Sequence, residues 1–216
     1  GLPPAKITQN ANASLKSIKE SEEKEQIAFY TKVLAAYSSI AFITSSGIIL
    51  FSRFIMTFMV AKDYFIAWEY IPVLTLATTF GLLSTFLGSV YMLKLRTQNS
   101  MVTTVICAIL NITLNLILIP LMGHYSEFMG AMGAGIATML SYFVLFLIRA
   151  FDTQRYLKIH WNIPKTMVSI VILVAQMITM VLSVPLWPLW QVLLFAALFF
   201  VNVREILQSV RKVLRR

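Results

Sequence analysis

Two amides, Asn111 and Asn115, stand four residues apart inside the apolar string Leu110-Asn-Ile-Thr-Leu-Asn-Leu. Residues at that spacing share one helix face. An amide turned to lipid is costly, so both are expected to face other helices or a wet cavity. Two readings follow. One is interhelical hydrogen bonding, worth about 1–2 kcal/mol at most; the other is a set of uncharged hydrogen bonds along a substrate path. Gln176, in a later apolar run, poses the same choice. Arg53 closes the first apolar run. Its long side chain either snorkels to water or presents an inward cation to a phosphate or acidic sugar. His124 and His160 are lone loop histidines without ligand spacing, suited to interface anchoring, and Cys107 is a single thiol that reads as a small buried hydrophobe. The string Gly130-Ala-Met-Gly-Ala-Gly-Ile-Ala has Rossmann-like glycine spacing but no preceding strand, so it reads as a helix-packing face. Gly81, Thr85 and Gly88 read the same way. With no nucleophile elbow, phosphate loop, zinc signature or intramembrane carboxylate pair, the residues point away from hydrolytic chemistry and from a carboxylate proton relay.

These residues need helices that live in lipid. The chain is 58% hydrophobic and 12% charged, with a mean hydropathy of +0.78, outside the ordinary range of soluble domains. About 20 apolar residues cross the hydrocarbon layer. Spans are expected at about 33–52, 70–93, 101–121 (ended by Pro120 and Gly123) and 128–148. The uncharged stretch from Thr166 to Val203 is too long for one crossing and carries Pro185 and Pro188 at its middle, with Trp187 and Trp190 beside them. It predicts a hairpin of two spans, 166–184 and 187–203. Residues 54–61 either lie along the outer interface or extend the first helix, and Lys62-Asp-Tyr64 reads as a solvated turn. The fold class is therefore all-α: a polytopic six-helix bundle over 33–203. An interfacial or helix-extending segment, 1–32, leads in, with Ile7, Ala11, Leu15 and Ile18 at helical spacing. A basic amphipathic tail, 204–216, sets Ile206, Leu207, Val210, Val213 and Leu214 against Arg211, Lys212, Arg215 and Arg216.

Charge orients the bundle. The net charge is +9, from 18 Lys and Arg against nine Asp and Glu. All of the cations except Arg53 and Lys62 fall before the first run, on alternate connections, or in the tail. That is the positive-inside pattern, with both termini cytoplasmic. Anionic inner-leaflet lipid, rather than nucleic acid, is the partner such flanking charge implies. The chain opens Gly1-Leu-Pro-Pro, without a signal peptide, and is expected to be a piece of a longer polypeptide, a split half or a truncated product.

Further strings carry a resemblance. Phe65-Ile-Ala-Trp-Glu-Tyr-Ile-Pro-Val-Leu leads into a small-residue-rich span and a Lys/Arg turn. Ile109-Leu-Asn-Ile-Thr-Leu-Asn-Leu-Ile-Leu-Ile-Pro then precedes Gly130-Ala-Met-Gly-Ala-Gly-Ile-Ala-Thr, Ser141-Tyr and a basic loop with Arg149. Pro4-Ala-Lys-Ile-Thr adds a Pro-x-basic-Ile-Thr string. This order, best over residues 33–164, resembles the C-terminal half of bacterial polysaccharide-unit flippases of the multidrug/oligosaccharidyl-lipid/polysaccharide exporter superfamily. The resemblance implies one lobe of a two-lobe exporter that moves undecaprenyl-pyrophosphate-linked oligosaccharide by alternating access in the bacterial cytoplasmic membrane. Its partners would be an N-terminal lobe, the lipid-linked glycan, and glycosyltransferases and polymerase of the pathway. It implies no enzyme activity and no cofactor or metal, with transport coupled to an ion gradient. On that reading Asn111, Asn115 and Gln176 meet sugar hydroxyls, and Arg53 attracts an anionic group. Rival readings are a drug or small-metabolite exporter, a lipid II flippase, or a noncatalytic scaffold for glycosyltransferases.

Overall fold

The computed structural model describes residues 4–59 and 62–214, and side-chain surroundings over 16–59 and 65–207. The helically spaced Ile7, Ala11 and Leu15, the side chains of Lys62–Tyr64, and Val210, Val213, Leu214 and the cations of the tail from Arg211 lie outside those described side chains. Six α-helices follow one another: α1 (Pro4–Met59), α2 (Ile71–Leu93), α3 (Thr97–Gly123), α4 (Glu127–Asp152), α5 (Ile163–Val181) and α6 (Trp187–Leu214). Short 3₁₀ segments, Lys62–Glu69 and Thr153–Arg155, complete the described elements, none of which is a strand. All six helices contain a stretch long and apolar enough to cross a membrane.

Helix boundaries follow local chemistry. α1 runs unbroken for 56 residues, so residues 54–59 extend the first helix instead of lying flat. At 1.5 Å per residue it is about 84 Å long, far more than a bilayer needs. Pro72 falls in the first turn of α2, where its missing N–H loses nothing. Ser126 caps α4, its Oγ accepting from Met129 N at 3.1 Å with Glu127 behind it. Asn162 caps α5 by accepting from Lys165 N at 3.3 Å. The 166–203 stretch is a helical hairpin, turned at residues 182–186. Of the two residues expected to end α3, Gly123 closes it, while Pro120 lies inside it. The helix continues to Gly123 because the proline removes one backbone donor close to the terminus, where a single lost bond is tolerated.

The turns use non-glycine residues in the left-handed region. Leu95 (φ 55°) closes α2 in a Schellman arrangement, with Arg96 N donating to Tyr91 O at 2.7 Å and Leu95 N to Met92 O at 3.1 Å. Ser183 (φ 47°) does the same for α5, with Val184 N donating to Thr179 O at 3.2 Å. The described glycines adopt no positive φ. They serve helix contact instead.

Two three-helix groups make up the bundle. α4 packs on both α2 and α3, while α1 and α5 both pack on α6. The groups meet where α1 and α5 touch α2. Phe42 and Ile49 of α1, Leu76, Phe80, Leu83 and Leu87 of α2, Phe146 of α4, Leu173 and Met180 of α5, and Leu198 of α6 form one buried core. α3 is the outlier: it buries only Thr103 and Cys107. Val105, Ile109, Ile112 and Leu116 are left outside, as an apolar helix in lipid permits.

The α3–α4 contact is the closest. A Cβ built on Gly133 would lie 2.7 Å from Leu118 O, and one on Gly130 would lie 3.2 Å from Gly123 Cα. The Gly130–Gly135 string is thus a packing face, as expected from its small residues. Gly81 and Gly88 of α2 face Tyr142 and Arg149 of α4. Thr85, expected on the same face, is exposed and bonds back to Gly81 O at 2.9 Å.

Candidate functional site

Asn111 and Asn115 lie together on α3, half-buried beside α4. Asn111 Nδ2 donates to Thr138 Oγ1 at 3.4 Å, a long bond. Asn115 Nδ2 donates to Asn111 O at 2.9 Å and to Asn111 Oδ1 at 3.0 Å. Asn115 Oδ1 accepts no hydrogen bond among the described residues. Asn115 also borders an open, otherwise apolar patch of the α3 surface with Ile112, Leu116, Ile119 and Pro120. The pair therefore combines a structural tie with a carbonyl left available at a surface.

Gln176 does not join them. It is fully buried among α1, α5 and α6, where Ser46 Oγ donates to its Oε1 at 2.7 Å. Gln191 Nε2 donates to Gln176 O at 2.8 Å and to Thr179 Oγ1 at 3.1 Å. A second layer repeats the design, with Asn202 Nδ2 donating to Ser169 Oγ at 2.9 Å. Gln176 Nε2, Gln191 Oε1 and Asn202 Oδ1 are buried without a partner among the described residues. Gln191 and Asn202 were not singled out from sequence, although each is an amide inside an uncharged run.

Arg53 sits at the opposite end of α1 from the basic loops. Its Cζ is 4.7 Å from the Trp68 ring centroid and 5.2 Å from that of Trp187, and the two rings are 6.4 Å apart. The cation–π contacts join α1, the 3₁₀ segment and the start of α6 while the side chain stays exposed. The four candidates thus occupy three places rather than one.

The residue that sequence reasoning passed over is Arg149, which counted there only as a loop cation. It stands inside α4 and is 6% exposed. Its guanidinium donates from Nε to Thr103 Oγ1 (3.1 Å), from Nη1 to Ser84 O (2.9 Å), and from Nη2 to Thr104 Oγ1 (2.9 Å) and Ser100 O (3.2 Å). None of these acceptors is a carboxylate. One turn on, Asp152 accepts from Tyr91 OH at 2.8 Å and pairs with Arg155 at 3.6 Å. Gly88 makes the contact possible, because a Cβ there would stand 2.8 Å from Nη1. The visible signal was the hydroxyl face Ser100, Thr103 and Thr104 opening α3.

A second polar tie closes the other group at the same end. Lys165 Nζ donates to Ser39 Oγ at 2.8 Å and pairs with Glu205 at 3.6 Å, joining α5 to α1 and α6. Lys94 Nζ reaches Gln26 Oε1 at 3.0 Å, which sets the upstream part of α1 level with this basic end. Hydroxyls and amides, with few charges, hold both groups together where apolar burial offers little net drive. No protein-family model, no curated protein and no solved structure matches the chain.

Proposed function

We propose that the chain is one lobe of a two-lobe exporter that moves undecaprenyl-pyrophosphate-linked oligosaccharide units to the outer leaflet by alternating access. The setting is the bacterial cytoplasmic membrane, with both termini inside. Capsule, O-antigen or exopolysaccharide assembly would consume the product. The observation that carries the reading is Asn115: a neutral amide on an outward-facing apolar helix, with its carbonyl oxygen unengaged at an open surface of α3. A sugar hydroxyl can donate to that oxygen without the desolvation cost that a charged group would impose. The sequence resemblance supplies the substrate class, and the concentration of cations at one end supplies the orientation. Rocking of two such lobes about a midplane site would carry the glycan while its polyprenyl tail stays in lipid.

The test is glycan export by the complete transporter carrying Asn115→Leu, alone and with Asn111→Leu. Loss of one neutral hydrogen bond predicts about a fivefold fall in export for the single variant at unchanged expression. Normal export by the double variant would overturn the assignment of this face to the substrate path.

A further inference from the structure

An apolar groove of about 380 Å³ opens between the end of α4 and the start of α5, where Phe146, Ala150 and Phe151 face Ile163, Met167 and Ile170. Beside it lies a small mixed pocket, where Thr31, Ser38, Asn162, Lys165 and Glu205 join Leu34, Ala35 and Leu83. His160, Trp161 and Thr166 line both spaces, so an apolar slot and a partly polar recess share one wall. Lys165 and Glu205 already pair with each other, which leaves little net charge inside the recess. The exposed cations stand on the neighbouring strap, outside the lining of both spaces. Lys158 and His160 are exposed on the strap between the helices, as is Arg155, which reaches Asp152 at 3.6 Å. Trp161 Nε1 is buried without a hydrogen-bond partner among the described residues, an unusual state for an indole donor.

We infer that this is a binding site for an anionic glycerophospholipid. An acyl chain fills the groove between α4 and α5, and the phosphodiester lies at the His160–Trp161 wall within reach of Lys158. The apolar slot excludes a free phosphate or a sugar as sole occupant, since most of its lining offers no hydrogen bond. The exposed Lys158 beside the wall favours anionic over zwitterionic headgroups. The inference rests on membrane insertion and not on transport, so it stands or falls apart from the flippase reading.

Native mass spectrometry of the purified chain, offered phosphatidylglycerol and phosphatidylcholine with identical acyl chains, tests it. Phosphatidylglycerol should be retained about fivefold better, the effect of one surface cation on an anionic lipid. Lys158→Gln combined with His160→Gln should abolish that preference, and Ala150→Phe should reduce retention of both lipids by filling the groove. Both positions are exposed, so their substitution leaves packing intact. Equal retention of the two lipids, or undiminished retention by a folded Ala150→Phe variant, would overturn the site. Failure of the chain to fractionate with membranes would instead undo the membrane reading beneath it.

Discussion

Gly88→Ala should change the sign of its effect with the residue at position 149. In the parent protein the new Cβ meets Arg149 Nη1 at 2.8 Å, against about 3.4 Å for an ordinary contact, and the guanidinium must withdraw by about 0.6 Å. The bond from Nη1 to Ser84 O, now 2.9 Å, then stretches to the edge of hydrogen-bonding range. Losing one bond from a charged donor costs about 1.5–3 kcal/mol. Replacing a mid-helix glycine by alanine returns about 1 kcal/mol. The net expectation is a loss of about 0.5–2 kcal/mol in the parent. With Arg149→Leu no atom occupies the notch, so the same Gly88→Ala change should stabilise by up to about 1 kcal/mol. The assay is reversible unfolding in mixed detergent micelles, run as a double-mutant cycle over the parent, both single variants and the double variant. A coupling of about 1.5–3 kcal/mol is expected. Equal effects of Gly88→Ala in the two backgrounds would refute the idea that Gly88 exists to admit the arginine.

Two further outcomes follow from the packing. Gly133→Ala should destabilise by about 1–3 kcal/mol and by more than Gly130→Ala, because its Cβ meets the Leu118 carbonyl, which moves only with the helix. An unchanged unfolding midpoint for Gly133→Ala would contradict the close α3–α4 approach. Gln176→Met should stay within about 1 kcal/mol of the parent, since the lost Ser46 bond is offset by removal of an unpartnered buried donor. Glycan export should survive that change, and an export defect at unchanged stability would return Gln176 to the substrate path.

Much of the helix layout was legible because lipid leaves a chain so few options. Backbone groups must be satisfied internally, so six apolar runs of sufficient length become six helices. Pro185 and Pro188 in an overlong run force a hairpin for the same reason. What failed was local. Pro120 removes one backbone donor so near the end of α3 that the helix runs on to Gly123, the other expected stop. Thr85 shares a helix with Gly81 and Gly88 but turns outward, since small size permits contact without requiring it.

The site was less legible than the fold. An amide in an apolar run signals a polar partner, and sequence alone leaves that partner unnamed. Asn115 and Gln176 read alike, yet one borders an open face of α3 and the other is sealed behind Ser46 and Gln191. Arg149 was misread because a cation after an apolar run looks like a loop charge. Its role depends on two hydroxyls and a carbonyl of α3, and on the Ser84 carbonyl and a glycine notch in α2, residues up to 65 positions away. Hydrophobicity and charge placement are sums along the chain, so the sequence by itself determined the spans, their number and the charge bias of the ends. Which polar groups are satisfied depends on pairs distant in the chain, and only the packing of the two three-helix groups decided that.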